Sequence, residues 1–140
     1  MSKSPPSARH GYSGKPLYQK LGLKPGMRYL TIGAPEHYLE LVADAEEVSF
    51  YTRAKTADVV HLFCRNLAAA EKKIEPALTR IADKGMLWVS WPKKSSPLYK
   101  DLTESDFRRL ILPLGWVDVK VCAVDQDWSA LKFLRRKTTT

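Results

Sequence analysis

The chain has 140 residues, of which 44% are hydrophobic, and a formal net charge of +8. This length and composition predict one folded domain and exclude a wholly disordered chain. No run approaches the roughly 18 to 20 apolar residues of a membrane helix, and the N-terminus lacks the apolar core of a signal peptide, so we expect a soluble cytoplasmic protein.

The first part of the chain changes from a tail to a folded region. Residues 1–14 are rich in Ser, Pro and Gly, which predicts a flexible tail before a single α/β domain over 15–136 and a short tail over 137–140. A short helix is expected from Pro16, because proline suits a first helical turn, and Gly22 should end it. Residues 27–32 (MRYLTI) form the first predicted strand.

A helix and two further strands are predicted next. Tyr38, Leu39 and Val42 have the spacing of a buried helical face. Residues 48–51 (VSFY) indicate a short second strand. Residues 58–64 (DVVHLFC) are apolar on both parities, which is typical of a parallel strand covered on both faces.

The third helix begins after Asn66, a residue type that caps helices. Pro76 should kink or divide this helix, and Lys84–Gly85 should end it. Residues 86–91 (MLWVSW) then form a fourth strand that is also apolar on both parities. This strand runs directly into a short cationic turn, PKKSS.

The last third predicts a helix and a hairpin. Thr103, with Asp106 three residues later, resembles a capping box. Two strands over 117–124 and 129–134 are joined by the turn 125–127, which predicts a β-hairpin.

The resulting order is βαββαβαββ after the small leading helix. Strands that alternate with helices predict right-handed crossovers and a mostly parallel sheet. The expected fold is therefore a short Rossmann-like, methyltransferase-like α/β domain, with helices on both faces of the sheet and a C-terminal antiparallel hairpin. Fold alone does not fix the function.

Four sequence blocks resemble a bacterial family of short Rossmann-like proteins. The blocks are GYSG (11–14), MLWVSWPKK (86–94), DLT (101–103) and DVKVCAVD with the following Trp128 and Ser129. The resemblance covers roughly residues 11–136. The family is one of unknown function, so the resemblance implies a small single-domain protein and no catalytic residues.

Ligands of open α/β sheets bind beyond the carboxyl ends of the strands, near the switch in strand order. The residues that this rule selects include a guanidinium, two ammonium groups, hydroxyls and an indole, which suit a phosphate or carboxylate. The candidate ligand-binding residues are Gly33, Arg65, Trp91, Lys93, Lys94 and Ser95. Tyr12 and Ser13 could fold over the same crevice.

A purely structural role is the alternative for this stretch. Trp88 and Trp91 have opposite parity and could each fill the core against a different helix layer. Lys93 and Lys94 could form a solvated loop, and the serines after them are ordinary turn residues.

Enzymatic chemistry has little support in the sequence. A methyltransferase of this topology would usually carry several glycines after the first strand and an acid after the second, but the chain has Gly33 alone and no acid near Tyr51. His61 is expected to be a hydrogen-bonded packing residue, and the histidines lack metal-ligand spacing. Cys64 and Cys122 are expected to be buried thiols without a disulfide.

The basic residues concentrate at the two ends of the chain. Residues 1–15 carry three and residues 132–140 carry four, without any acid, whereas the middle is almost neutral. We expect a non-enzymatic domain that holds a small anionic ligand or a protein partner, with no cofactor. Weak nucleic-acid association through the basic ends and a degenerate S-adenosylmethionine-dependent methyltransferase are the alternatives.

Overall fold

A computed structural model describes residues 15–137. The predicted tail over 1–14, with Tyr12 and Ser13, and the last three residues lie outside the described part. The helices are α1 (Leu17–Leu21), α2 (Tyr38–Leu41), α3 (Leu67–Leu78) and α4 (Glu104–Ile111), and the strands are β1 (Arg28–Ile32), β2 (Ser49–Tyr51), β3 (Ala57–Phe63), β4 (Ile81–Pro92), β5 (Trp116–Ala123) and β6 (Trp128–Arg135). One 3₁₀ turn, Leu112–Leu114, follows α4.

The six strands form one sheet in the order β2-β1-β3-β4-β6-β5. The pairs β1–β2, β1–β3 and β3–β4 are parallel, and β6 is antiparallel to both β4 and β5. The predicted fold class is therefore confirmed: a mostly parallel sheet ends in an antiparallel hairpin. The connection between β2 and β3 is only five residues long, 52–56.

The sheet separates two hydrophobic cores. On one face, β-strand side chains pack against α3 and α4 around Ile74 and Phe107. On the other face, they pack against α1 and α2 around Leu21 and Tyr38. Strands that are covered on both faces must be apolar on both parities, which explains the composition of β3 and β4.

The two tryptophans of β4 fill different cores, as their parity predicts. Trp88 packs on the α1 side and Trp91 on the α3 and α4 side. The indole Nε1 of Trp88 also donates a hydrogen bond to the Leu21 carbonyl at 3.0 Å. This bond satisfies a buried donor and attaches α1 to the centre of the sheet.

The prediction that Lys84–Gly85 separates α3 from β4 was wrong. The strand begins at Ile81 and contains a bulge, because Ala57 pairs with Ile81 whereas Val59 pairs with Met86. Lys84 has a positive φ of 65°. A Cβ on Gly85 would lie 2.8 Å from the Asp58 carbonyl oxygen. Only glycine fits there, so this dipeptide forms a bulge within the strand rather than a helix stop.

Helices α2 and α3 differ from their predicted forms. Helix α2 is a single turn, and Leu39 is 47% exposed while Tyr38 and Val42 are buried. The spacing therefore predicted the burial of Tyr38 and Val42 correctly, but these residues lie on a short turn and not on a continuous helical face. Helix α3 continues through Pro76 as one element, although proline cannot donate the helical hydrogen bond to the Lys72 carbonyl.

Within residues 15–137, none of the helices has the length and apolar character required to cross a membrane.

Candidate functional site

The strand order reverses at β1, since β2 lies on one side of it and β3 on the other. The carboxyl ends of β1 and β3 therefore flank the crevice where this architecture places ligands. Gly33 turns the chain there with a φ of 76°, and a Cβ at this position would approach the Phe63 carbonyl oxygen to 3.0 Å. Glycine is thus required by the close approach of the two strand ends.

Arg65 spans this crevice. Its Nη1 donates to the Gly33 carbonyl at 3.5 Å, and its guanidinium carbon lies 5.4 Å from the centre of the Trp128 ring. The cation–π geometry holds the guanidinium between the end of β1 and the start of β6. Two of the residues predicted from sequence, Gly33 and Arg65, are therefore in contact.

A histidine–carboxylate pair lies at the same edge. His37 Nε2 and Asp125 Oδ2 are 2.9 Å apart. The other carboxylate oxygen of Asp125 accepts from the backbone N–H groups of Asp127 and Trp128, at 2.8 and 2.9 Å. An imidazole oriented by a carboxylate is the arrangement that general bases use. Sequence analysis did not find this pair, because its members are 88 positions apart; His37 was expected early in a helix and Asp125 in the hairpin turn.

The cationic turn after β4 lines a separate cavity, which we call the lysine pocket. Trp91, Lys93 and Lys94 border it, as does Ser129 of β6. Its volume is about 420 Å³, within the range of small-molecule sites. The remaining lining residues, from α4 and the segment before it, are Leu102, Thr103, Glu104, Ser105 and Arg108.

The lysine pocket contains uncompensated positive charge. Arg108 forms ion pairs with Glu104 and with Asp118, the latter at 2.8 Å. Across residues 15–137, no acidic side chain forms an ion pair with Lys93 or Lys94. Two ammonium groups beside three hydroxyl side chains match an anion that accepts several hydrogen bonds.

Five of the six predicted residues are thus divided between two places. Gly33 and Arg65 lie at the switch point, and Trp91, Lys93 and Lys94 line the lysine pocket. Ser95 is exposed and lies outside the lining of this pocket. The buried hydroxyl of this turn belongs to Ser96, which accepts from the Leu98 N–H at 3.0 Å.

His61 belongs to a fully buried hydrogen-bond chain. Its Nδ1 lies 2.6 Å from the Tyr29 hydroxyl, its Nε2 lies 2.6 Å from Ser90 Oγ, and the hydroxyls of Tyr29 and Tyr38 are also hydrogen bonded. Burial lowers the pKa of His61 to about 3. The expectation of a hydrogen-bonded packing residue is confirmed, and this neutral, enclosed imidazole cannot reach a substrate.

The thiols and possible metal ligands give no catalytic centre. Burial raises the pKa of Cys64 to about 12 and also raises the pKa of Cys122, so both remain protonated at neutral pH and are poor nucleophiles. In the part of the chain that the structure describes, no group of three His, Cys, Asp or Glu side chains could hold a metal ion.

Comparison with known proteins identifies the fold. No family model and no curated protein matches the chain. A methyltransferase dependent on S-adenosylmethionine from Aquifex aeolicus superimposes with a TM-score of 0.61, at 14% identity, over 94% of both chains. One from Geobacter sulfurreducens, in complex with S-adenosyl-L-homocysteine, gives 0.60 at 13% identity over 86% of this chain and 89% of its own.

The N-methyltransferase NodS from Bradyrhizobium japonicum is a further similar structure, with a TM-score of 0.56 at 12% identity over 94% of this chain and 97% of its own. The chain therefore has the Rossmann-like fold of methyltransferases that use S-adenosylmethionine. At these identities the likeness is one of fold alone, so the function has to be inferred from the residues of the site.

Proposed function

We propose that this chain is a methyltransferase-fold domain that binds a small anionic ligand in the lysine pocket and does not transfer methyl groups. The observation that carries the proposal is a cavity of about 420 Å³ lined by Trp91, Lys93 and Lys94, in which neither lysine has an acidic partner among the described residues. The indole and Leu102 supply an apolar surface for the ligand body, and the ammonium groups supply charge.

The residues at the switch point support a binding role over methyl transfer. The turn after β1 contains one glycine, and Arg65 lies across it in contact with Trp128. The residues after β2 are Thr52 and Arg53, so a carboxylate that could accept hydrogen bonds from a ribose is missing there. A cationic side chain at this position also opposes the sulfonium charge of S-adenosylmethionine.

A thermal-shift series with inorganic phosphate, citrate and adenosine monophosphate tests the proposal. We expect at least one anion to raise the Tm of the wild type and to lose this effect in the variant Lys93→Ala/Lys94→Ala. The matched control is Lys100→Ala/Lys137→Ala, which removes two exposed lysines outside the pocket. If the pocket variant responds to every anion as the control does, the proposal is wrong.

A degenerate methyltransferase that still binds S-adenosylmethionine is the second candidate, favoured by the fold of its structural neighbours and by the His37–Asp125 pair at the crevice. Calorimetric titration with S-adenosylmethionine at millimolar concentration separates the two candidates. Binding that is weakened by Arg65→Ala but not by Lys93→Ala/Lys94→Ala would favour the second candidate. No measurable heat would remove it.

A cluster of lysines on the C-terminal hairpin is consistent with the third candidate, nucleic-acid association. Lys120 and Lys132 are directly opposite each other on β5 and β6, an arrangement that destabilises a sheet. Burial, together with the charges of Lys120 and Lys24, lowers the pKa of Lys132. Burial is also the main cause of the lowered pKa of Lys20, to which Lys120 contributes. This cluster belongs to the folded body, so affinity for an RNA or DNA oligonucleotide should survive removal of residues 1–10 and fall steeply with salt. Affinity without salt dependence would count against it.

A further inference from the structure

The short connection between β2 and β3 leaves part of the sheet uncovered. Residues 52–56 join the two strands without a helix, and on the α3 side Leu30 of β1 is buried whereas Ile32 at the end of this strand stays partly exposed. A groove of about 590 Å³ lies there, and we call it the β1 groove. Its accessible apolar lining consists of Ile32 of β1, Ala54 of the connection and Pro76 of α3, and the buried Leu30 and Ala77 lie beneath them.

The rim of the β1 groove is cationic. Arg53 lies on the connection, and Lys72, Lys73 and Arg80 lie on or just after α3. Arg80 Nη1 donates to the Ala54 carbonyl at 2.7 Å, so this guanidinium also fixes the connection against the helix. The lining contains no acidic side chain.

Four positive charges around an apolar floor define the complementary ligand. Bringing four cations to one concave surface is electrostatically unfavourable unless an anion neutralises them. The floor adds apolar area that a fully hydrated ion, such as free phosphate, would leave unused. The volume lies within the range of sites for small organic ligands.

We propose that the β1 groove binds an amphiphilic organic anion, namely an apolar chain or ring that carries one carboxylate or phosphate head group. The apolar part lies on Ile32, Ala54 and Pro76, and the head group is held by the rim of Lys72, Lys73 and Arg53. The chain's own N-terminus does not complement the groove, because residues 1–15 carry three basic and no acidic side chains. The groove shares no lining residue with the lysine pocket, so this proposal is independent of the proposed function.

Dodecyl phosphate below its micellar concentration is a suitable probe, added to the full-length ¹⁵N-labelled protein. We expect saturable amide shifts centred on 52–54 and 72–80. Inorganic phosphate, which has the head group alone, and dodecyl maltoside, which has the chain without charge, should each bind at least about tenfold more weakly. Lys72→Glu/Lys73→Glu should weaken dodecyl phosphate binding by about tenfold or more.

Control variants keep the test specific. Lys100→Glu/Lys137→Glu makes the same charge change outside the groove and should bind like the wild type, as should Lys93→Ala/Lys94→Ala in the lysine pocket. Thr52→Trp places an indole at the exposed rim and should block the groove without a buried substitution. The proposal fails if dodecyl phosphate shifts only the lysine pocket, or if Lys72→Glu/Lys73→Glu binds as tightly as its control.

Vesicles of phosphatidylglycerol and phosphatidylcholine distinguish a membrane surface from a free amphiphile. A site for single molecules predicts saturation by monomeric dodecyl phosphate in the absence of vesicles. Co-sedimentation with anionic vesicles, without any response to the monomer, would overturn the proposal in favour of a membrane-surface contact.

Discussion

His61 is a fully buried polar side chain on the α1 side of the sheet. Hydroxyl groups lie beside both of its ring nitrogens. A chain in which Tyr38 donates to Tyr29, Tyr29 donates to Nδ1, and Nε2–H donates to Ser90 gives both ring nitrogens a partner while the imidazole stays neutral. The stability of this network depends on pH, because protonation of His61 in the unfolded chain favours unfolding.

Acid should therefore destabilise the protein through His61. Its folded-state pKa, about 3, lies below the unfolded value of about 6.5. Below pH 6.5 the unfolded state takes up a proton that the folded state refuses, so stability falls as the pH drops from 6.5 towards 3. We expect a loss of about 2 kcal/mol between pH 7 and pH 5, measured by urea unfolding.

Two substitutions isolate this effect. His61→Gln should be about 1 to 3 kcal/mol less stable at pH 7, since it disturbs a buried network, but should lose most of the dependence between pH 7 and pH 5. His37→Gln removes an imidazole that is 51% exposed and should keep the full slope. An unchanged slope in His61→Gln would show that another group controls the acid sensitivity.

At the scale of elements, helix α3 is capped from two directions. Asn66 Oδ1 accepts from the Ala69 N–H at 2.8 Å, and Asp101 Oδ1 accepts from the Leu67 N–H at 2.9 Å. The second acceptor comes from the segment between Lys94 and Leu102, both of which line the lysine pocket. The helix that forms one wall of the β1 groove is therefore also tied to the loop beside the other site.

Removing the local cap should weaken α3 without altering the core. Asn66→Ala is expected to cost about 1 kcal/mol, and Asn66→Asp should recover most of it, because a carboxylate also accepts from the N–H and favours the helix N-terminus. Urea unfolding measures both. Equal stability of Asn66→Ala and the wild type would mean that Asp101 alone is sufficient.

Elements with a strong local pattern could be predicted from sequence, and those that depend on distant contacts could not. β3 and β4 were recognised because they are apolar on both parities, and the hairpin because its strands flank a polar turn. Lys84–Gly85 was predicted to end a helix instead of forming a bulge. The reason is that glycine is required there by a tertiary contact, the close approach of Asp58, which the local sequence does not show. The rule that ligands bind at strand ends predicted Trp91, Lys93 and Lys94 of the lysine pocket. Thr103 and Arg108 were not predicted, because only the packing of α4 brings them to this pocket.

The β1 groove could not be predicted for a different reason. The predicted strand order already lacked a helix between β2 and β3, but the sequence does not show which side chains border the resulting groove. Arg53 and Lys73 are 20 positions apart in sequence. Only the crossing of the short connection over the sheet brings them to one rim.

Across the whole molecule, the sheet order predicts a gradient of local stability. β3 and β4 lie between other strands and are almost entirely buried, whereas all three residues of β2 are exposed and pair with β1 alone. A short edge strand opens locally at a lower free energy than the centre of a sheet. Native-state hydrogen exchange should therefore show β2 amides at least about 2 kcal/mol less protected than those of β3.

The other edge of the sheet provides the internal control for this gradient. β5 is also an edge strand, but seven of its eight residues pair with β6, and Arg108 of α4 anchors it through Asp118 at 2.8 Å. Its paired amides should exchange more slowly than those of β2. Exchange of the β2 amides only through global unfolding would contradict this prediction. It would mean that the five-residue connection stabilises that edge as well as a helix would. The β1 groove would then have a rigid border instead of a strand that opens locally.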